Sequence, residues 1–292
     1  MSGASGLIGR SLVPYLTGHG HDVLTLVRRE PRGAHELRWD PTTGRLDPQT
    51  LGVVDAVVNL SGANVGEHRW TPQYKDLIVT SRTQTTTTLV NAALALDTPP
   101  TVLVNASAIG AYGEGGTTIL TESSPRGDDF LSDVVARWEA ATQPLAAAGV
   151  RVVLARTGLL ANPTGGAFGR LLPLFRLGLG GRLGSGSQWW SLISMPDELA
   201  ALEFLLENPL PGPVNLVCPQ PAHNRDITRE LAKALHRPAL VPVPAPALKL
   251  ALGEFSEQVL GSQRVVPTAL TQAGFTFAHP DARAVVRWLA NA

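Results

Sequence analysis

Along the chain, short runs of β-branched and aliphatic residues alternate with segments whose apolar positions recur every three or four residues. Leu7–Thr17 places Leu7, Ile8, Leu12 and Leu16 on one helical face. His21–Val27 (HDVLTLV) and Val53–Leu60 (VVDAVVNL) then read as strands, and between them Arg28–Thr50 is polar and turn-rich, with a short strand around Leu37–Trp39. Pro72–Leu96 is helical, although Thr83–Thr88 has poor intrinsic helix propensity, so packing must hold it. Thr101–Ser107 is a buried strand, Leu131–Ala147 a helix and Arg151–Arg156 the next strand. Strands alternating with helices at this spacing predict an α/β fold with a parallel sheet covered on both faces.

After Arg156 the pattern changes. Asn162–Ser187 is dense in glycine and predicts loops with one short helix near Leu171–Leu177. Asp197–Glu207 is helical, Pro213–Val217 is a strand, and Asn224–Leu235 is an amphipathic helix. Pro238–Pro246 is extended and proline-rich, and Ala247–Leu252 begins another helix. There is no internal repeat and no clean linker. The expected division is residues 1–160 as a nucleotide-binding unit and residues 161–292 as a substrate-side region, partly interleaved with it.

Composition narrows the class. The 292 residues carry 24 Lys and Arg against 24 Asp and Glu, a formal net charge of zero. That balance argues against a nucleic-acid or membrane-surface partner, both of which usually go with a basic excess. A small-molecule substrate and a monomer or homodimer are expected instead. One cysteine, Cys218, excludes an internal disulfide framework and a cysteine-based zinc site. No stretch reads as a signal peptide or a membrane span. The expectation is a cytoplasmic protein. His19 and His21 sit at a turn before a strand, and no cluster of carboxylates or cysteines is expected around them, so no metal site is expected there.

The chemistry begins at Gly3-Ala-Ser-Gly6-Leu-Ile-Gly9, a G-x-x-G-x-x-G turn entering a helix. A pyrophosphate reaches the amides at a helix N-terminus only where side chains are absent, which explains the glycines. A helix and then a strand follow at the spacing of a βαβ unit, and that strand ends about 20 residues past the turn. An NAD-binding chain usually places Asp or Glu at that end, to hold the ribose. Here Arg28 and Arg29 stand there, and they favour the 2′-phosphate of NADP (NADPH).

Taken with VVNLSG (Val57–Gly62) and NASAIGAYG (Asn105–Gly113), the glycine turn resembles that of the extended short-chain dehydrogenase/reductases (SDRs). Further markers narrow the resemblance to the atypical "epimerase family" subgroup, whose members are NAD-dependent epimerase/dehydratase-like. These are His68-Arg-Trp-Thr71, Ser81-Arg82, Arg156-Thr-Gly158, Pro173-Leu-Phe-Arg-Leu-Gly-Leu-Gly-Gly181, Gly184-Ser-Gly-Ser-Gln188-Trp, Gly212-Pro-Val-Asn-Leu216 and Gly274-Phe-Thr-Phe277. The resemblance runs from Ser2 to about Trp288. It implies a Rossmann-type doubly wound sheet with a smaller C-terminal α+β substrate domain. It also implies that Gly3, Ser5, Gly6, Leu7, Ile8 and Gly9 contact the cofactor pyrophosphate and that Arg28, with Arg29, meets the 2′-phosphate. Leu60, Ser61 and Gly62 would pass beneath the adenine and ribose, Ser107 would be the active-site serine, and Arg156 would lie near the nicotinamide.

One expected pair is absent. SDR catalysis usually rests on a tyrosine four residues before a lysine, the lysine lowering the pKa of the phenol that exchanges a proton. The residues four positions after Tyr15, Tyr74 and Tyr112 are His19, Ile78 and Gly116. Counting back from Glu139, the two slots fall near Leu131 and Val135, which cannot exchange protons. Tyr112 is the first substitute to consider, with Glu122, Asp129 and Asp133 next; His68 and Arg69 either anchor an anionic substrate or cap a loop. Two readings stay open. One is an NADP-dependent oxidoreductase or epimerase-like enzyme acting on a small polar carbonyl or hydroxyl compound, sugar nucleotides included by analogy. The other is a catalytically silent NADP(H)-binding sensor or regulatory protein.

Met1 and Ser2 lead straight into the glycine turn, where a Rossmann sheet should supply a strand of about five or six residues. The first strand is therefore expected to be missing or truncated, and a misassigned start is one explanation.

Overall fold

The structure is a computed structural model describing residues 1–292. Six strands form its core: β1 (Thr25–Val27), β2 (Glu36–Arg38), β3 (Ala56–Asn59), β4 (Val102–Ala108), β5 (Arg151–Thr157) and β6 (Gly212–Leu216). Strands β3, β4, β5 and β6 lie side by side in that order, all parallel, and β1 pairs with β2, also in parallel. Met1 and Ser2 join the two groups. Met1 O accepts from Leu26 N at 2.8 Å, while Ser2 N donates to Val58 O at 2.9 Å and Ser2 O accepts from Leu60 N at 3.3 Å. The sheet thus reads β2-β1-(Met1–Ser2)-β3-β4-β5-β6. The order reverses between Met1–Ser2 and β3, and that is where a doubly wound sheet opens a ligand crevice at its carboxyl edge.

Helices α1 (Gly9–Gly18), α2 (Pro72–Leu94), α3 (Phe130–Ala140) and α4 (Met195–Glu207) pack against the sheet, and α5 (Asn224–Ala234) and α6 (Ala282–Asn291) pack on each other beyond it. Side chains of β4 alternate between the two faces. Val102 and Val104 pack with Leu12, Leu16, Leu199 and Leu202 of α1 and α4, whereas Leu103 packs with Val90 and Ala93 of α2. Each leucine so buried contributes roughly 1.5–3 kcal/mol. Caps fix the helix starts, with Thr71, Asp129 and Ser194 accepting backbone N–H bonds at the N-termini of α2, α3 and α4. The threonine run in α2 is held as its poor propensity requires. Thr85 and Thr88 bond back to carbonyls one turn earlier, and buried Thr86 accepts from Trp138 Nε1 at 3.1 Å.

Some elements differ from the sequence expectation. The single helix expected over Leu131–Ala147 is two, Phe130–Ala140 and Gln143–Ala147, because Pro144 has no N–H to continue the ladder and starts a new helix instead. The helix expected at Leu171–Leu177 spans Gly166–Arg176 and tolerates Pro173. α6 escaped the sequence reading although Ala282, Val285, Val286 and Leu289 have helical spacing. Those residues join Phe168, Leu172, Trp190, Leu192, Ile227 and Leu231 in a second core. Two-stranded pairings tie this region to the sheet side: Leu159–Ala161 with Leu192–Ser194, Ile119–Leu120 with Arg264–Val265, and Trp189–Trp190 with Ala222–His223. No helix is long and apolar enough to cross a membrane.

Candidate functional site

The crevice is built by backbone before any side chain enters it. Gly3 has φ +71°, and a Cβ on it would lie 2.6 Å from Leu60 C and 2.9 Å from Ser61 N. A Cβ on Gly9 would lie 2.2 Å from Gly3 O, so the turn can close onto α1 only if both residues are glycine. Gly6 N donates to Gly3 O at 2.9 Å, but the N–H groups of Ser5, Leu7 and Ile8 enter no internal hydrogen bond. Free amides just ahead of a helix form a cradle for phosphate oxygens. The Leu7 side chain faces the second half of the molecule, and a Cβ on Gly165 would lie 2.4 Å from its Cδ1.

The two arginines after β1 differ. Arg29 is engaged by Glu36 through both nitrogens of its fork, at 2.7 and 2.5 Å, and this pairing holds the Glu36 carboxyl down at about 2. Arg28 is exposed and makes no side-chain hydrogen bond or ion pair within the protein.

Below the carboxyl edge lies a closed polar network. Glu139, 3% exposed on α3, accepts from Ser107 Oγ at 2.6 Å and from Arg156 Nε and Nη2 at 2.9 Å each, and also from Arg126. Arg156 Nη1 reaches Tyr112 Oη at 3.0 Å, and Tyr112 Oη donates to Asn215 Oδ1 at 2.7 Å. Burial by itself would raise the Glu139 carboxyl, but the hydrogen bonds and charge of Arg156, with Ser107 and Arg126, outweigh it and hold the group below the usual carboxylate range. Burial likewise disfavours the Arg156 charge, yet Glu139 more than restores it. Tyr112 moves upward because burial outweighs its contacts with Arg156 and Asn215, so the phenol is not primed to release a proton.

Ser107 and Arg156 are neighbours in the β4–β5 register and meet through Glu139, a residue that the sequence reading used only as a counting mark. Its visible signal was its place beside the apolar positions Val134, Val135 and Trp138 of α3. Leu131 and Val135 lie on the same helix. The other candidates scatter. Glu122 accepts the backbone N–H groups of Asn215 and Ala269, Asp129 caps α3, and Asp133 pairs with Arg137 at the surface. Arg69 donates to Leu250 O at 2.5 Å, and His68 packs edge-on to Tyr74. Asn59 and Asn105 bond mainly to side chains, linking Ser2, Thr86 and each other.

His19 and His21 correct the sequence reading, because α4 brings acids to them. His19 Nδ1 is 2.7 Å from Glu203 Oε1, and His21 Nε2 lies 3.4 and 3.9 Å from Glu203 and Glu207. These acids lie more than 180 residues away in sequence, so only the fold could reveal them.

The comparisons with known proteins match this geometry. The profile of the "NAD dependent epimerase/dehydratase family" matches residues 1–217, and "Domain of unknown function (DUF1731)" matches residues 243–289. The chain is 44% identical over 281 residues to "Epimerase family protein Mb2239" of Mycobacterium bovis, covering 96% of this chain and 93% of that one. It is 34% identical to "Epimerase family protein SDR39U1" of mouse, with 98% and 97% covered. Among solved structures, that of human epimerase family protein SDR39U1 (isoform2) with NADPH superposes with a TM-score of 0.93 at 32% identity, covering 99% of this chain and 98% of that one. A Rossmann-type sheet with a glycine turn at its switch point, matched along nearly its whole length, places the chain in the NAD dependent epimerase/dehydratase family as an atypical extended SDR.

Proposed function

We propose that the protein binds NADP(H) across the sheet switch point and acts as an epimerase-like oxidoreductase on a small polar carbonyl or hydroxyl compound. Arg28 carries this reading. A cation without an internal partner stands at the end of β1, where an NAD-selective site would hold an acid, and a similar human protein was solved with NADPH. In this reading the free amides of Ser5, Leu7 and Ile8 take the diphosphate, Leu60, Ser61 and Gly62 floor the adenosine side, and Arg28 takes the 2′-phosphate. Arg29, already matched by Glu36, contributes less. When bound, the nicotinamide supplies hydride transfer, and the protein supplies orientation and exclusion of water. Residues 1–160 hold the nucleotide and residues 161–292 shape the substrate side, in a protein read as cytoplasmic from its single buried cysteine, Cys218.

Ser107 and Tyr112 enter this proposal as positioning residues. Both hydroxyls are committed to the network of Glu139, Arg156 and Asn215, and both side chains are 5% exposed or less. The network braces the ends of β4 and β5, whose following turns line the crevice. That same commitment, with Leu131 and Val135 in the places of the usual acid and its lysine, favours the second reading of a catalytically silent NADP(H)-binding protein.

Calorimetry should show NADPH binding more tightly than NADH, with the difference mostly lost in Arg28→Ala. Equal affinities for the two would reject the role given to Arg28. Single-turnover oxidation of bound NADPH across a panel of carbonyl compounds, comparing wild type with Ser107→Ala and Tyr112→Phe, decides between enzyme and sensor. If no compound oxidises the cofactor, the silent reading stands.

A further inference from the structure

At the edge of the sheet opposite the crevice, two histidines meet two glutamates. Helix α1 leaves the glycine turn and runs ten residues, about 15 Å, before it ends. Its last turn closes as His21 N donates to Leu16 O at 3.0 Å and Gly20 N to Thr17 O at 3.1 Å, with Gly20 at φ +91°. Two such bonds around a left-handed glycine make a Schellman motif, which fixes His19 and His21 on either side of the turn. Facing them, α4 presents Glu203 and Glu207, one helical turn apart at its C-terminal end.

These acids lack the partners that surface acids usually find. Like charges one turn apart on a helix repel. No lysine or arginine pairs with either carboxylate, and Arg151, at the same helix end, is engaged by the carbonyls of Leu205 and Leu206 at 2.7 Å each. What faces the pair instead is a phenol and two imidazoles. Tyr15 Oη donates to Glu203 Oε2 at 3.1 Å, and burial, with the hydrogen bond and charge of Glu203 and the charge of Glu207, holds that phenol's proton above its ordinary range. His19 Nδ1 lies 2.7 and 2.8 Å from the two Glu203 oxygens. With Oε2 held by Tyr15, Glu203 Oε1 stands 3.4 Å from His21 Nε2, and Glu207 Oε1 stands 3.9 Å from the same nitrogen. One imidazole nitrogen and two carboxylate oxygens thus lie within 4.8 Å of one another.

That spacing is close to a coordination sphere. Ligands about 2.0–2.2 Å from a tetrahedral zinc stand roughly 3.3–3.6 Å apart. The His21–Glu203 separation already has this value, and Glu207, exposed at the end of its helix, closes the remaining gap by side-chain rotation. We infer that His21, Glu203 and Glu207 form a site for a divalent transition metal of the zinc class, with water completing the sphere. His19, carrying its proton on Nδ1, orients the Glu203 carboxylate as a positioning residue. Imidazole selects against magnesium and calcium, which take oxygen ligands. The metal neutralises the repelling acids and ties the end of α1 to α4, two segments more than 180 residues apart in the chain. It lies at the far end of α1 from the glycine turn and takes no part in nucleotide binding.

Calorimetric titration of the full, untagged chain with zinc chloride tests the site. One equivalent should bind saturably, and magnesium or calcium chloride should not bind at the same concentrations. His21→Ala and Glu207→Gln should each weaken zinc about tenfold or more, and His19→Ala by a similar factor through the carboxylate it orients. His35→Ala, which removes an exposed imidazole paired with Asp22 instead, should leave the titration unchanged. Saturating zinc should also raise the melting temperature of wild type but not of Glu207→Gln, since metal bound only by the folded chain stabilises it. The inference is overturned if no saturable binding occurs, if the His21→Ala, Glu207→Gln double variant binds as wild type does, or if magnesium competes on equal terms, which would mark the cluster as an acidic patch.

A measurement on the unmutated protein covers the case in which a variant does not fold. Diethylpyrocarbonate modification followed by peptide mass mapping should label His21, with protection by zinc that His35 does not share. Labelling of His21 that zinc leaves unchanged would overturn the assignment.

Discussion

Two polar regions lie within a few residues of each other along the carboxyl edge of the sheet, and they are built on opposite principles. Beneath the edge, Ser107, Tyr112, Glu139, Arg156 and Asn215 satisfy one another almost completely. Above it, the glycine turn and Arg28 leave amides and guanidinium donors unused. A buried charge left without a partner is expensive, so the lower region spends its polar groups on itself and becomes rigid. Open donors at the crevice await an external anion. The difference separates residues that hold the edge from residues that meet a ligand, although both sets contain serine and arginine.

Breaking the closed region should have the largest effect. Glu139→Ala leaves Arg156 buried without its carboxylate, and unfolding at neutral pH should show a loss of about 3–5 kcal/mol. A loss below about 1 kcal/mol would mean that water or Arg126 readily replaces the pair, and the contrast between regions would weaken.

Glu198 sharpens the comparison from the acidic side. It is fully buried, accepts from Thr157 at 2.8 Å through one oxygen and leaves the other without a partner. Burial raises its pKa to about 8, and the Thr157 hydrogen bond offsets this only in part. The folded protein therefore keeps a proton that the unfolded chain releases near its ordinary value of 4.5. Stability from this group is full below that value and falls as pH rises toward 8, by on the order of 5 kcal/mol. Glu198→Gln should flatten that part of the melting-temperature profile, and an unchanged slope between pH 5 and 8 would show that the carboxyl ionises without penalty.

At the crevice the effects should appear in binding. Arg28→Ala should weaken NADPH about tenfold, while Arg29→Ala, whose charge Glu36 already matches, should stay within about twofold. Equal losses in the two titrations would show that the Arg29–Glu36 pair opens to take ligand. The smallest change expected is that of Tyr112→Phe. Removing one hydroxyl from the network should cost about 1 kcal/mol in unfolding while leaving NADPH affinity unaltered, and a comparable loss of affinity would place the phenol in contact with cofactor.

Much of this architecture was legible in the chain. The order of strands and helices through Arg156 followed from periodicity, and the glycine turn followed from its spacing, because both depend on near neighbours in sequence. The break at Pro144 was available in principle and was passed over because the apolar pattern continues across it. α6 was missed in a region read mainly through its glycines and prolines.

The sequence by itself determined the fold class, the switch-point turn and the reversal of charge after β1, because each is encoded over short separations where backbone geometry and hydrophobic spacing act directly. Tertiary structure alone decided which polar residues are available. Ser107 and Arg156 are 49 positions apart and are made partners by the β4–β5 register and by Glu139 from a helix between them. His19 gains Glu203 from 184 positions away. Whether an arginine is neutralised, as Arg156 is, or left open, as Arg28 is, depends on which side chains the folded chain brings within about 4 Å, and Coulomb and hydrogen-bond energies are settled at that distance.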